Sequence, residues 1–142
     1  MTKKKEPEDK ENFWTEINIS KKVDWKVALI PVLFMILIGG LTYVFGIQLD
    51  GFITILLYAI IYIGHTIYIW KTTDISPAEA YRSHLLGMFI IVIIFAIMSA
   101  YPAFVMGDVE KFGSIFTPLI GIGYLYSLFS TRLFTWIGIK IS

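Results

Sequence analysis

The sequence predicts an all-α integral membrane protein, an antiparallel bundle of four transmembrane helices with both termini in the cytoplasm. Four long apolar stretches follow Trp25, each close to the ~20 residues that a helix needs to cross a bilayer core of about 30 Å. The first three of these stretches contain no Asp, Glu, Lys or Arg. Charged residues make up only 16 % of the chain, against about 25 % in an average soluble domain.

The chain of 142 residues divides into three predicted regions. Residues 1–12 are almost all charged or polar, so they bury too little apolar surface to fold and are expected to form a disordered cytoplasmic tail. Residues 13–26 mix aromatic side chains with lysines, which is typical of the lipid headgroup level, and predict an interfacial segment. Residues 27–142 are expected to form the four-helix transmembrane domain.

The four spans are expected at about residues 27–46, 52–70, 83–106 and 114–133. Asp24 precedes the first span and is a residue type that caps helix N-termini. The short, glycine-containing connection after that span predicts a tight antiparallel hairpin of spans one and two. Ser76 and Glu79 form a capping box around Pro77, which predicts that the third helix begins at Pro77, ahead of its apolar run.

The basic residues predict the orientation of the spans. With both termini inside, every one of the 12 Lys and Arg residues except Lys111 lies on the cytoplasmic side, as the positive-inside rule requires. We therefore expect a multi-pass protein of the cell membrane with cytoplasmic N- and C-termini. Aromatic and long cationic side chains near the span ends are expected to anchor it among the headgroups: Trp14, Trp25, Lys26, Arg82, Arg132 and Trp136.

One face of the second span carries polar side chains at helical spacing: Thr54, Tyr58, Tyr62 and His65. Polar groups within hydrocarbon are costly, which makes them functional candidates by default. The face has two interpretations. It lines a proton or solute path in which His65 titrates near neutral pH, or it forms an interhelical seam in which each hydroxyl bonds to a neighbouring helix.

The two histidines, His65 and His84, could together ligate a haem. Their predicted depths differ, because His65 lies inside its span whereas His84 begins the next one beside Arg82, close to the headgroups. This difference favours an interfacial role for His84. Cysteine is absent, and two histidines leave no third ligand for zinc or non-haem iron, so we expect no metal and no cofactor.

Packing between helices is predicted from small residues at helical spacing, which let helix backbones approach closely in lipid. These residues are Gly39, Gly46, Thr117 and Gly121. Whether they pack within one chain or between chains does not follow from the sequence.

The composition narrows the function. The first three spans hold no Asp or Glu for carboxylate-driven transport, and no hydrolase, protease or phosphatase constellation is visible, which favours a non-enzymatic role. A net charge of +1 argues against nucleic-acid binding. The leading hypothesis is a structural or accessory subunit of a membrane complex or a homo-oligomer, whose partners are the lipid bilayer and other membrane subunits or itself. The alternatives are a small channel or transporter that uses the Tyr58, Tyr62 and His65 face, and a haem-binding electron-transfer subunit.

Overall fold

The computed structural model describes residues 23–142. Within this range the chain is helical apart from short connections, and it contains no strand. The helices are α1 (Trp25–Val44), α2 (Gly51–Thr72), α3 (Pro77–Val105) and α4 (Val109–Ile141). All four are long and apolar enough to cross a membrane, which confirms the predicted number of helices of spanning length. The predicted tail and most of the predicted interfacial segment, including Trp14, lie outside the described residues.

Each helix begins at a side chain that caps its first turn. Oδ1 of Asp24 accepts hydrogen bonds from the backbone N–H of Lys26 (2.9 Å) and of Val27 (3.2 Å), as predicted. Oγ of Ser76 accepts from the backbone N–H of Glu79 at 3.2 Å, so the predicted start of α3 at Pro77 is confirmed. Aspartates 50 and 108 cap α2 and α4 in the same way.

Glycines with positive φ end two of the helices. Gly46 (φ 65°) follows α1, and Gly107 (φ 76°) follows α3. These turns make the connections to α2 and α4 short.

Helix α4 is longer than the predicted fourth span. It begins at Val109 because Asp108 caps it, and it continues to Ile141 without a break at Arg132. The reason is that Phe134, Thr135 and Gly138 extend the buried face of the helix beyond the most apolar part of the sequence.

The order of helices around the bundle is α1, α3, α4, α2. Helix α1 packs mainly against α3 and only weakly against α2, so the predicted tight hairpin of spans one and two is wrong. A short connection fixes the direction of the next helix, whereas its neighbours depend on which faces fit together. Consequently α2 and α3 lie at opposite corners of the bundle, and side chains that join them cross its centre.

The two halves of the bundle differ in packing. We call the half that holds the start of α1, the α2–α3 connection and the end of α4 the proximal half, and the other the distal half. The buried residues of α1 end at Val32, those of α2 begin at Tyr62, and those of α4 begin at Ser127. All of these lie in the proximal half, so α1 and α2 have no buried residue in the distal half.

Candidate functional site

A chain of hydrogen-bonded side chains crosses the centre of the proximal half. Nδ1 of His65 on α2 lies 2.9 Å from Nε2 of His84 on α3. Nδ1 of His84 lies 2.9 Å from the hydroxyl oxygen of Thr135 on α4. His84 and Thr135 are both fully buried, and His65 is half-buried. This chain, which we call the His65–His84–Thr135 relay, joins three of the four helices.

The Tyr62 ring packs against the relay. Its ring meets the His84 ring edge to face, with centroids 5.0 Å apart and an interplanar angle of 87°. The same ring packs with Met88 and Phe134 in the core of the proximal half. Among residues 23–142, the buried atoms without a hydrogen-bond partner include the Tyr62 hydroxyl and Nε2 of His65 at the relay, and the hydroxyls of Ser130 and Thr131 on α4. Buried polar atoms of this kind are uncommon in proteins.

The two hydrogen bonds of the relay can run in either of two donor-to-acceptor directions. A neutral imidazole has one donor nitrogen and one acceptor nitrogen, and a hydroxyl can either donate or accept. In one direction His65 donates to His84, which donates to Thr135, and Nε2 of His65 carries no proton. In the other direction Thr135 donates to His84, which donates to His65, and Nε2 of His65 is protonated. The arrangement can therefore hold or pass on a proton without moving a heavy atom.

A stripe of buried hydroxyl side chains on α4 ends at Thr135 of the relay. Ser127, Thr131 and Thr135 recur every four residues and are each at most 1 % exposed. The Ser127 hydroxyl is satisfied within its own helix, because it donates to the backbone oxygen of Gly123 at 2.8 Å. The sequence analysis missed this stripe, although small hydroxyl residues at four-residue spacing in an apolar helix were a signal for it.

Two glycines mark close approaches between helices in the proximal half, one of them against a threonine. A Cβ on Gly138 of α4 would lie 2.6 Å from Cβ of Thr66 on α2. A Cβ on Gly87 of α3 would collide with the backbone oxygen of Ala28 on α1. Thr66 keeps its own hydroxyl satisfied by donating to the backbone oxygen of Tyr62 at 2.7 Å. Only glycine allows these backbone approaches.

The position of His84 differs from the sequence expectation. His84 was expected near the headgroups beside Arg82, at a different depth from His65. It is instead fully buried, and it is hydrogen-bonded to His65. Arg82, predicted as an interfacial anchor, is also buried at 4 % exposure. The difference arises because α3 begins at Pro77, well before its apolar run, and its polar first turns are covered by the ends of α2 and α4.

The geometry of the histidine pair does not fit a haem iron or another metal ion between the two rings. Imidazole nitrogens bind metals at about 2 Å, as in zinc sites, so two ligands on opposite sides of an ion are roughly 4 Å apart. The facing nitrogens of His65 and His84 are instead at hydrogen-bond distance, 2.9 Å. Within residues 23–142, no cluster of three or more His, Asp or Glu residues could hold a metal ion.

The predicted polar face of α2 is divided between two environments. Tyr62 and His65 belong to the bundle centre, whereas Thr54 and Tyr58 line a cleft in the distal half between α1, α2 and α3. The cleft has a volume of about 820 Å³. It is lined by Met35, Ile36, Ile38, Gly39, Gly40, Thr42, Tyr43, Ile47, Leu49, Thr54, Leu57, Tyr58, Ile91, Ile94, Phe95 and Met98.

The glycines predicted for helix packing do not contact another helix in this chain. Within the described residues, no atom of another helix lies within 4 Å of a Cβ built on Gly39, Gly46 or Gly121. Thr117 is exposed on the same face of α4 as Gly121. The close approaches use Gly87, Gly138 and a further glycine at 123, whose Cβ would collide with Val92.

The predicted interfacial anchors have several environments. Trp25 is 61 % exposed and Trp136 is 50 % exposed, and Lys26 is exposed beside the former. The Lys140 ammonium lies 5.9 Å from the Trp136 ring centroid, a cation–π distance. Arg132 is half-buried, and its guanidinium lies 5.4 Å from the ring centroid of Tyr81 on α3.

Comparison with protein-family profiles, curated proteins and solved structures found no match to this chain.

Proposed function

We propose that the protein is a structural or accessory subunit of a membrane complex, which binds a transmembrane helix of another subunit or of a second copy through α4. This proposal rests on a difference between the glycines of α4, some of which face other helices of the chain while others face outward. Gly123 and Gly138 face other helices of the chain, whereas Gly121, with Thr117 four residues before it, faces outward and is uncovered. Gly113, a further four residues before, is likewise free of contacts at its Cβ position.

An uncovered small-residue face favours association between helices. Lipid gives no hydrophobic drive for helix pairing, so transmembrane helices associate where small residues allow many close van der Waals contacts. Each glycine in a helix also costs about 1 kcal/mol relative to alanine, which a lipid-facing position would not offset. We call the surface formed by Gly113, Thr117 and Gly121 the outer α4 face.

The experiment compares the particle size of wild type with two leucine variants in mild detergent by native mass spectrometry. Gly121→Leu should break the complex, because the side chain fills the outer α4 face. Gly64→Leu is the matched control, since Gly64 is also an exposed helical glycine with nothing within 4 Å of its Cβ position. A monomeric wild type, or equal assembly of wild type and Gly121→Leu, would contradict the proposal.

A second candidate function is a small proton-conducting channel or transporter, favoured by the position of Tyr58. This residue lines the distal cleft and also packs against the core that contains Tyr62, whose ring contacts His84 of the relay. Ring contacts thus connect an open cleft to groups that can pass on a proton. Proton flux into liposomes at pH 6 and pH 8 tests the idea with His65→Ala, and with Tyr68→Ala as a control at an exposed position of the same helix. Flux that is absent, or unchanged by His65→Ala, rules out this role.

A further inference from the structure

The distal cleft has the size of a ligand site. Its volume of about 820 Å³ falls within the range of roughly 300–1,000 Å³ that is typical of small-molecule pockets. A helix about 11 Å wide already fills roughly 1,000 Å³ in two turns. The cleft is therefore too small to seat a transmembrane helix along its length, and a single extended chain fits it better.

The lining of the cleft favours the binding of a hydrocarbon chain. None of its residues is charged, and most of them are apolar. Gly39 and Gly40 lie on the α1 side of the cleft. Nothing lies within 4 Å of either Cβ position, so the cleft is wider there than it would be with larger side chains. Met35 and Met98 add flexible side chains that adapt to a chain of irregular shape. A charged ligand group would lose its hydration in this cleft without gaining a counter-charge.

Two hydroxyl groups in the lining, those of Tyr43 and Tyr58, make no hydrogen bond with the residues that the structure describes, and of the two only Tyr58 is half-buried, since Tyr43 is 89 % exposed. The Thr42 hydroxyl donates to the backbone oxygen of Gly39 and the Thr54 hydroxyl to that of Asp50, each at 2.9 Å, so both are satisfied within their own helices. Tyr58 is half-buried, and its ring packs against the core around Tyr62. An unpaired hydroxyl in hydrocarbon is unfavourable, and a ligand group can supply the missing bond.

We propose that the distal cleft binds an uncharged amphiphile, a hydrocarbon chain that bears a carbonyl or hydroxyl group, and that this group hydrogen-bonds to the Tyr58 hydroxyl. The chain lies along Gly39 and Gly40 and passes between α1 and α2 toward the distal surface. Acylglycerols and isoprenoid alcohols or quinones share this chemistry. The site is separate from the outer α4 face, so this proposal stands or falls independently of the assembly of the protein.

Photo-crosslinking tests the proposal on the full-length protein in nanodiscs of defined lipid. The probe is a monoacylglycerol with a diazirine in its acyl chain, and the labelled peptides are identified by mass spectrometry. Wild type should show saturable labelling of α1 around Gly39, and unlabelled monoacylglycerol should compete with it. Phosphatidylglycerol, which carries a charged headgroup, should compete at least tenfold more weakly. Competition by an isoprenoid alcohol at lower concentration than by monoacylglycerol would support the proposal and identify the isoprenoid class as the ligand.

Two variants separate specific binding from ordinary contact with lipid. Gly39→Leu fills the cleft and should reduce saturable labelling at least tenfold, whereas Gly64→Leu, an open glycine outside the cleft, should leave it unchanged. Tyr58→Phe should reduce labelling about three- to tenfold, the effect of one neutral hydrogen bond. Equal thermal stability of the variants excludes unfolding as the cause. Labelling that does not saturate, spreads evenly over the four helices or survives Gly39→Leu would overturn the proposal, because bulk lipid would then fill the cleft.

Discussion

Nδ1 of His65 and Nε2 of His84 lie 2.9 Å apart, although their helices occupy opposite corners of the bundle. The bond therefore crosses the centre of the proximal half and ties α2 to α3, which have few other contacts. Thr135 on α4 extends the bond to a third helix at the same distance. In this way one buried imidazole ring couples the position of three helices, and it does so in the interior of the bundle, where unpaired polar groups are costly.

Removing either histidine should destabilise the bundle by about 1–3 kcal/mol, because it leaves the other ring with an unsatisfied nitrogen. His84→Ala should lower the free energy of unfolding more than His65→Ala does, since it also leaves the Thr135 hydroxyl without its partner and removes the ring contact with Tyr62. Because each single variant already breaks the bond, the double variant should be less destabilised than the sum of the two. Reversible unfolding in mixed micelles measures all three. Additive effects would show that the two rings are not energetically coupled.

The sequence predicted the helices and most of their starts, because these depend on local patterns. The apolar stretches are nearly free of charge, and the cap at Asp24 and the box that precedes α3 act within four residues. The pairing of helices was not predictable in this way. It depends on backbone approaches such as that of Gly87 to Ala28, which join positions far apart in the chain.

The candidate site was predicted only in part for the same reason. The periodicity of α2 placed Tyr62 and His65 on one face, which one helix alone determines. The burial of His84 depends on partners 19 residues before it and 51 residues after it, on two other helices. Its distance from the centre of the apolar run therefore pointed to the wrong environment.

Two glycines of α4, two residues apart, should respond in opposite ways to alanine. A methyl group on Gly123 would collide with Val92 on α3, so Gly123→Ala should destabilise the bundle by about 1–3 kcal/mol. Gly121 has open space at its Cβ position, so Gly121→Ala should be neutral or stabilise the helix by up to about 1 kcal/mol. The same unfolding assay compares the two variants. Equal effects would contradict the close approach of α3 and α4 at Gly123.

The start of α1 is attached to α3 by one hydroxyl group. The backbone N–H of Asp24 donates to Oγ of Ser83 at 3.0 Å, and the Ser83 hydroxyl donates to the backbone oxygen of Glu79 at 2.7 Å. Ser83→Ala should therefore increase amide hydrogen exchange in the first turn of α1 several-fold, with little change elsewhere. Ser114→Ala is the control, because its exposed hydroxyl also donates to its own helix, to Lys111, but joins no second helix. Unchanged exchange in Ser83→Ala would mean that other contacts hold the start of α1.

The topology with both termini cytoplasmic can be tested because the chain has no cysteine of its own. Single cysteines in three places report the side of the membrane: Gln48→Cys at an exposed position between α1 and α2, Thr72→Cys at the exposed end of α2, and Ser142→Cys at the half-buried C-terminus. The positive-inside rule predicts that a membrane-impermeant maleimide added to intact cells labels Gln48→Cys and leaves the other two unlabelled until the membrane is opened. Since α2 separates the first two positions, opposite labelling also shows that this helix crosses the bilayer. Labelling of Ser142→Cys in intact cells would reverse the orientation, and equal labelling of Gln48→Cys and Thr72→Cys would mean that α2 does not span the membrane.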